Sequence, residues 1–66
     1  MTRDLRAVFE KMDLLKRFPN VHSDILQHFG VEKPTDFSRF DDIRLGEVVR
    51  HVENCYRWFW PVRLAA

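Results

Sequence analysis

The sequence predicts an all-α protein: a small bundle of three helices plus a short helical turn, forming a single domain over residues 1–66. Three observations lead to this prediction. Apolar residues recur at steps of three and four through most of the chain, which is the spacing of one face of a helix. Glycine or proline stands near the ends of these periodic stretches, where helices stop. No alternation of apolar and polar residues typical of a strand runs longer than four residues.

The first helix is predicted over residues 3–17. Asp4 lies in its first turn, while Lys16 and Arg17 lie in its last turn, and this charge distribution suits the helix dipole. Pro19 predicts that the helix stops close to Arg17, because proline disfavours helical geometry at the residue before it. The apolar face of this helix consists of Leu5, Val8, Phe9, Met12 and Leu15.

The second helix is predicted over residues 21–29, with Asn20 as its N-cap. Gly30 directly follows the last periodic residue, and apolar Val31 comes next. This order is typical of a left-handed C-cap with its hydrophobic contact.

A short helical turn is predicted over residues 36–40, with Thr35 as its cap. Phe37 and Phe40 are three residues apart and therefore share one side of this turn. We expect their rings to close one end of the core.

The spine of the predicted bundle is a long helix over residues 42–60. Asp41 or Asp42 supplies the cap at its start, and Pro61 marks its end. Gly46 lies inside it, and close packing of another helix would explain a glycine at that position. Its apolar stripe, which includes a cysteine predicted to be buried, is Leu45, Val48, Val49, Val52, Cys55, Tyr56 and Phe59.

Composition suggests a protein that associates with other proteins. A chain of 66 residues is near the lower limit for folding without disulfides or a metal, yet 45% of it is hydrophobic, including six Phe and two Trp. This surplus predicts a homodimer whose symmetric contact follows the last helix and its tail. The formal net charge of +1 does not favour nucleic acid as a partner.

The same features predict a cytoplasmic location. The single cysteine, Cys55, suits a reducing compartment, and the charged N-terminus lacks the apolar centre of a signal peptide. No stretch approaches the roughly 20 apolar residues needed to cross a bilayer. The sequence therefore predicts no membrane span.

No pattern in the chain predicts catalysis, a cofactor or a metal. His51 and Cys55 are four residues apart, a spacing that can serve one metal ion, but His22 and His28 are six apart and fall on different faces of their helix. A thiol buried in the apolar stripe is unreactive, and no glycine-rich phosphate loop is present. We therefore predict a protein that is not an enzyme.

The leading functional hypothesis is a non-catalytic protein-interaction module, such as a small adaptor or inhibitor. The end of the predicted long helix combines large aromatic side chains with arginines, the residues that serve as anchors in protein interfaces. The predicted partner-binding residues are Arg44, His51, Tyr56, Arg57, Trp58, Trp60 and Arg63.

A resemblance supports one alternative hypothesis. The segment SDILQHFGVEKPTDFSRF, residues 23–40, resembles the helix-turn-helix of many bacterial repressors, with Gly30 and Val31 in the place of the turn. It departs from that motif at Leu26, where a small residue is usual, and at Asp36, where an apolar one is usual. The resemblance implies a small DNA-binding regulator that uses Lys33, Thr35, Ser38 and Arg39.

The segments Ile25 to Val31 and Phe40 to Ile43 are similar to the middle of acyl carrier proteins, in which a serine after an aspartate carries the cofactor. Here the residues after Asp42 are Ile43, Arg44 and Leu45. Because the serine is missing, the sequence predicts no attached cofactor.

Overall fold

The computed structural model describes residues 3–56, and this part of the chain contains three α-helices, two 3₁₀ helices and no strand. The predicted all-α bundle of three helices and a short helical turn is confirmed. The helices are α1 (Arg3–Leu14), a 3₁₀ extension of α1 (Leu15–Arg17), α2 (Pro19–His28), a connecting 3₁₀ helix (Pro34–Arg39) and α3 (Asp42–Cys55).

The first helix has the predicted extent, but its last turn is tighter than an α-helix. Helix α1 covers Arg3–Leu14, and the chain continues as 3₁₀ helix through Arg17. The backbone N–H of Phe18 closes this extension by donating to the carbonyl of Leu15 at 2.8 Å. Such 3₁₀ turns are frequent at helix ends, where they satisfy carbonyls that have no partner in the α-helical ladder.

Helix α2 begins earlier than the sequence predicts. It starts at Pro19, with Phe18 as the N-cap, so the prediction of Asn20 as the cap is wrong. Proline is well suited to the first helical position because it lacks an N–H that would have no partner there, and its fixed φ angle is already helical.

The predicted left-handed cap at the end of α2 is confirmed. Gly30 has a φ angle of 70°. The N–H of Val31 donates to the carbonyl of Leu26 at 3.0 Å, and the N–H of Gly30 donates to that of Gln27 at 3.1 Å. These two bonds form a Schellman motif. Val31 and Leu26 both pack against the core, which supplies the hydrophobic contact of the motif.

The connecting 3₁₀ helix starts one residue before the predicted cap. It covers Pro34–Arg39, so Thr35 lies inside it. The carboxylate of Asp36 accepts the backbone N–H groups of Glu32 at 3.2 Å and Lys33 at 3.3 Å, which fixes the entry to the helix. Asp36, which the sequence analysis treated as a departure from the helix-turn-helix pattern, is thus a structural residue of this loop.

Helix α3 starts where predicted and ends before Trp60. Its N-cap is Asp41, whose Oδ1 accepts the backbone N–H of Arg44 at 2.8 Å. The helix ends at Cys55, and Tyr56 has a ψ angle of 34°, outside helical geometry. The prediction of one continuous helix over residues 42–60 is therefore wrong, and residues 57–66 lie outside the described part of the chain.

The core of the described residues is apolar, and every helical segment contributes to it. None of the buried residues in this range is polar or charged. Phe37 is wholly buried and Phe40 partly buried, so the connecting 3₁₀ helix closes the core as predicted. The buried side chains are Val8, Met12, Leu15, Ile25, Phe37, Leu45, Val48 and Val52.

The contacts between helices define their directions. Lys11 Nζ lies 3.1 Å from Glu53 Oε2, and Asp4 Oδ2 lies 3.8 Å from the point where a Cβ on Gly46 would stand. The contact between Lys11 and Glu53 lies seven residues further along both helices than the approach of Asp4 to Gly46, since Lys11 follows Asp4 by seven residues and Glu53 follows Gly46 by seven. Helices α1 and α3 thus run parallel.

Helix α2 runs in the opposite direction to α3. Asp24, in the middle of α2, bonds to Tyr56, which directly follows α3. His28, four residues later at the end of α2, stacks on His51, five residues before Tyr56. The end of α1, the start of α2 and the end of α3 therefore lie at the same end of the bundle. Within residues 3–56, no helix combines the length and the apolar character needed to cross a membrane.

Candidate protein-interaction surface

Three of the seven predicted partner-binding residues belong to the described part of the chain. Arg44 lies in the first turn of α3, His51 in its last two turns, and Tyr56 directly after it. The other four predicted residues, Arg57, Trp58, Trp60 and Arg63, lie outside the described residues.

Arg44 is located away from the other two. Its guanidinium carbon stands 4.7 Å from the centroid of the Phe40 ring, in a cation–π contact at the start of α3. At 1.5 Å per residue, the twelve positions between Arg44 and Tyr56 separate them by about 18 Å along the helix. Arg44 and Tyr56 therefore belong to opposite ends of the bundle.

His51 is held by contacts with α2. Its ring stacks on that of His28, with centroids 4.1 Å apart and planes inclined by 14°. Phe29 meets the same ring edge-on at 5.3 Å. Burial lowers the pKa of His51, and the neighbouring His28 lowers it further, while the charge of Asp24 acts in the opposite direction. The ring is therefore neutral at pH 7, which is the form that stacks without charge repulsion.

Cys55 is exposed, so the prediction of a buried thiol is wrong. Cys55 is the last residue of α3 and lies at the edge of the apolar stripe, on the side of His51. Its Sγ stands 3.6 Å from Nδ1 of His51, a weak contact in which the neutral imidazole can accept from the thiol.

Tyr56 fixes the end of α3 to α2. Its hydroxyl donates to Oδ2 of Asp24 at 2.5 Å. This bond raises the pKa of Tyr56 to about 12, with burial as the second cause. No local pattern could have shown this bond, because the two residues are 32 positions apart.

Aromatic contacts connect the histidine pair to the core. Phe29 meets His28 at 4.7 Å and Phe37 at 6.2 Å between ring centroids, both nearly edge-on. Phe37 in turn meets Phe40 at 5.3 Å. Edge-to-face geometry at these distances is favourable for aromatic pairs. The rings of α2, α3 and the connecting 3₁₀ helix thus pack as one unit.

Large apolar side chains are exposed at both ends of the bundle. Leu14 is 50% exposed and Phe18 is 37% exposed. Leu14 is three residues beyond Lys11, and Tyr56 is three residues beyond Glu53, so the register of α1 and α3 puts Leu14 level with Tyr56. We call Leu14, Phe18 and Tyr56 the end surface. Ile43, at the opposite end, is 78% exposed.

The sequence analysis anticipated only part of the end surface. Leu14 falls off the apolar stripe of α1, which is a signal of exposure. Phe18 carried no such signal, because it lies between two helices where periodicity gives no information. That Leu14, Phe18 and Tyr56 share one end follows only from the directions of the three helices.

The predicted DNA-binding residues surround the connecting 3₁₀ helix. Lys33, Thr35, Ser38 and Arg39 are all exposed, and the hydroxyl of Ser38 donates to the carbonyl of Thr35 at 2.8 Å. Six residues of 3₁₀ helix are about 12 Å long at 2.0 Å per residue. With three residues per turn, the carboxylate of Asp36 shares a side with Lys33 and Arg39.

The histidines and the cysteine do not form a metal site in the described part of the chain. Residues 3–56 contain no group of three or more His, Cys, Asp or Glu side chains arranged to hold a metal ion. Nε2 of His22 is buried and has no hydrogen-bond partner among the described residues.

Comparisons of the chain with protein-family models, with curated proteins and with solved structures find no match.

Proposed function

We propose that this protein is a non-catalytic interaction module that binds a partner protein through the end surface and the aromatic segment that follows Tyr56. One observation carries the proposal: two of the three exposed large apolar residues of the described chain, Leu14 and Phe18, lie at the end of the bundle where this segment begins. Exposed apolar residues that adjoin aromatic and arginine side chains are typical of protein interfaces.

The bond between Tyr56 and Asp24 supports this proposal. It holds Tyr56, the last residue before the aromatic segment, against α2. A fixed anchor reduces the conformational entropy lost when a partner binds. The residues that follow, among them Trp58, Trp60 and two arginines, have the composition of binding hot spots.

Self-association is the first form of this function to test. A homodimer would use the same surface on both copies, so each Leu14 would face the partner copy. The small size of the chain favours this arrangement, because association buries apolar area that one copy leaves exposed. The cysteine content suits the cytoplasm as the compartment.

The test compares truncations at the two ends of the bundle. Leu14→Ala should weaken self-association about thirtyfold, because the substitution removes one leucine from each copy and covering the exposed half of each leucine contributes about 1 kcal/mol. Ile43→Ala is the matched control, since Ile43 is more exposed but stands at the opposite end. Sedimentation equilibrium gives the dissociation constants, and circular dichroism checks that both variants keep their helix content.

Trp58→Ala extends the test to the aromatic segment. It should weaken self-association, or capture of a partner from a cell extract, without changing helix content. A loss of helicity would mean that Trp58 supports the fold. Equal weakening by Leu14→Ala and Ile43→Ala would contradict the assignment of the interface to the end surface.

DNA binding is the alternative hypothesis, and the geometry favours it less. The connecting 3₁₀ helix is shorter than a recognition helix, and Asp36 lies beside its basic residues. Titration with random duplex DNA decides between the two, because phosphate binding by Lys33 and Arg39 would weaken steeply with added salt.

A further inference from the structure

A groove separates α1 from the connecting 3₁₀ helix. Its volume is about 360 Å³, within the range of ligand sites in proteins. Its apolar lining residues are Phe9 and Met12 from α1 and Pro34 from the 3₁₀ helix. Its polar lining residues are Asp13, Lys16, Lys33 and Thr35. Leu14 projects from a different side of α1, so this groove is separate from the end surface.

Two lysines stand at the rim of the groove. Lys16 comes from the 3₁₀ extension of α1 and Lys33 from the start of the connecting 3₁₀ helix. Lys16 Nζ pairs with Asp13 Oδ1 at 3.2 Å, but both side chains are largely exposed. An exposed ion pair of this kind contributes little to stability, so Lys16 can leave Asp13 and pair with a carboxylate of a ligand at low cost in free energy. The Lys33 side chain forms no ion pair within residues 3–56, although the carboxylate of Asp36 lies on the same side of the 3₁₀ helix and accepts the backbone N–H of Lys33 at 3.3 Å.

We infer that this groove binds an acidic peptide segment of a partner protein, with one large apolar side chain inserted between α1 and the connecting 3₁₀ helix. Phe9 and Pro34, both partly exposed, provide the apolar surface for the anchor, above the buried side chain of Met12. The ammonium groups of Lys16 and Lys33 then pair with carboxylates that flank the anchor. Charge complementarity of this kind selects the partner and speeds its encounter.

The groove also explains the position of two residues that the sequence analysis assigned to DNA. Lys33 and Thr35 both line it. Their location beside Phe9 and Met12 gives them an apolar neighbourhood, which suits a peptide side chain better than a phosphate backbone.

The test uses three short peptides and nuclear magnetic resonance. The peptide acetyl-DDLDD-amide should shift the amide signals around Met12, Lys16 and Lys33 in a saturable titration. The peptide acetyl-DDSDD-amide lacks the anchor. It should bind about tenfold more weakly or worse, because burying a leucine side chain contributes about 1.5–3 kcal/mol. The peptide acetyl-KKLKK-amide reverses the charge and should not bind.

Two charge reversals provide the matched variants. Lys33→Glu should weaken binding of acetyl-DDLDD-amide about tenfold, because it replaces an attraction with a repulsion at the rim. Arg50→Glu changes the net charge by the same amount on the exposed side of α3 and should alter affinity by less than about threefold, since salt screens distant charges. Leu14→Ala should leave this affinity unchanged, which separates the groove from the end surface.

Several results would overturn the inference. Equal binding of the leucine and serine peptides would show that the apolar surface is not used. Equal effects of Lys33→Glu and Arg50→Glu would reduce the interaction to overall charge. Tighter binding of dodecanoate than of the peptide, with the same pattern of shifted signals, would assign the groove to a lipid anion. An absence of shifts at millimolar peptide would reject the site altogether.

Discussion

Replacement of Gly46 by alanine should stabilise the protein by about 1 kcal/mol. Glycine in a helix interior costs about that much relative to alanine, because its backbone loses more conformational freedom on folding. The sequence analysis explained Gly46 by close packing of another helix, and the structure contradicts this. Among residues 3–56, a Cβ at Gly46 would meet only Arg50 Nη2 and Asp4 Oδ2, each at 3.8 Å. Both are ordinary contacts with the ends of flexible side chains.

The other glycine of the chain provides a control with the opposite sign. No atom of the described part of the chain lies within 4 Å of a Cβ built on Gly30, but the φ angle of Gly30 is 70°. An L side chain in this left-handed conformation costs about 1–2 kcal/mol. Gly30→Ala should therefore destabilise the protein although there is room for the methyl group. Gly30→Asn should cost less, because asparagine tolerates this conformation.

Urea unfolding followed by far-ultraviolet circular dichroism measures both effects. Gly46→Ala should raise the midpoint without changing the slope, since the surface exposed on unfolding stays the same. For a domain of this size, 1 kcal/mol corresponds to a rise of about 4–8 °C in Tm.

Two results would refute this reasoning. Destabilisation by Gly46→Ala would require a close contact at that position which the structure does not contain. A neutral or stabilising Gly30→Ala would contradict the left-handed cap at the end of α2.

Three further changes test the core and the contacts between α2 and α3. Phe37→Ala should cost about 3–5 kcal/mol, most of the stability of so small a domain, and circular dichroism at 25 °C should show a largely unfolded chain; retained helicity would contradict its burial. Tyr56→Phe should cost about 1 kcal/mol by removing the bond to Asp24. The pKa of Tyr56 is raised from 10.0 to about 12. The difference in free energy of unfolding between wild type and Tyr56→Phe, measured by urea unfolding, should therefore be complete below pH 10 and disappear between pH 10 and pH 12. The pKa of His51 is lowered from 6.5, so the contribution of neutral His51 to the free energy of unfolding should be complete above pH 6.5 and decline as the pH falls below that value. His28→Gln should reduce this decline. Stability that increases with acid in this range would refute the assignment.

The caps and helix starts show which features of the fold can be predicted from neighbouring residues alone. Asp41 caps α3 and Gly30 ends α2 because each acts on backbone groups within a few residues of itself. The errors have local causes as well. Pro19 was taken only as the end of the first helix, although proline is equally suited to the first position of the next one. The end of α3 was placed at Trp60 because the apolar period continues past Cys55, and a period alone does not show where the backbone leaves the helix.

The sequence by itself determined the all-α class, the approximate helices and most of the core, because burial of one face imposes a period that can be read along the chain. Only the tertiary structure decided which helices run parallel, and therefore that Leu14 and Phe18 share an end with Tyr56. It also decided the stacking of His28 on His51 and the groove between α1 and the connecting 3₁₀ helix. The physical reason is that periodicity defines the buried face of each helix without identifying the neighbour that covers it. Contacts between residues far apart in the chain depend on the path of the loops and on packing, which no local pattern encodes.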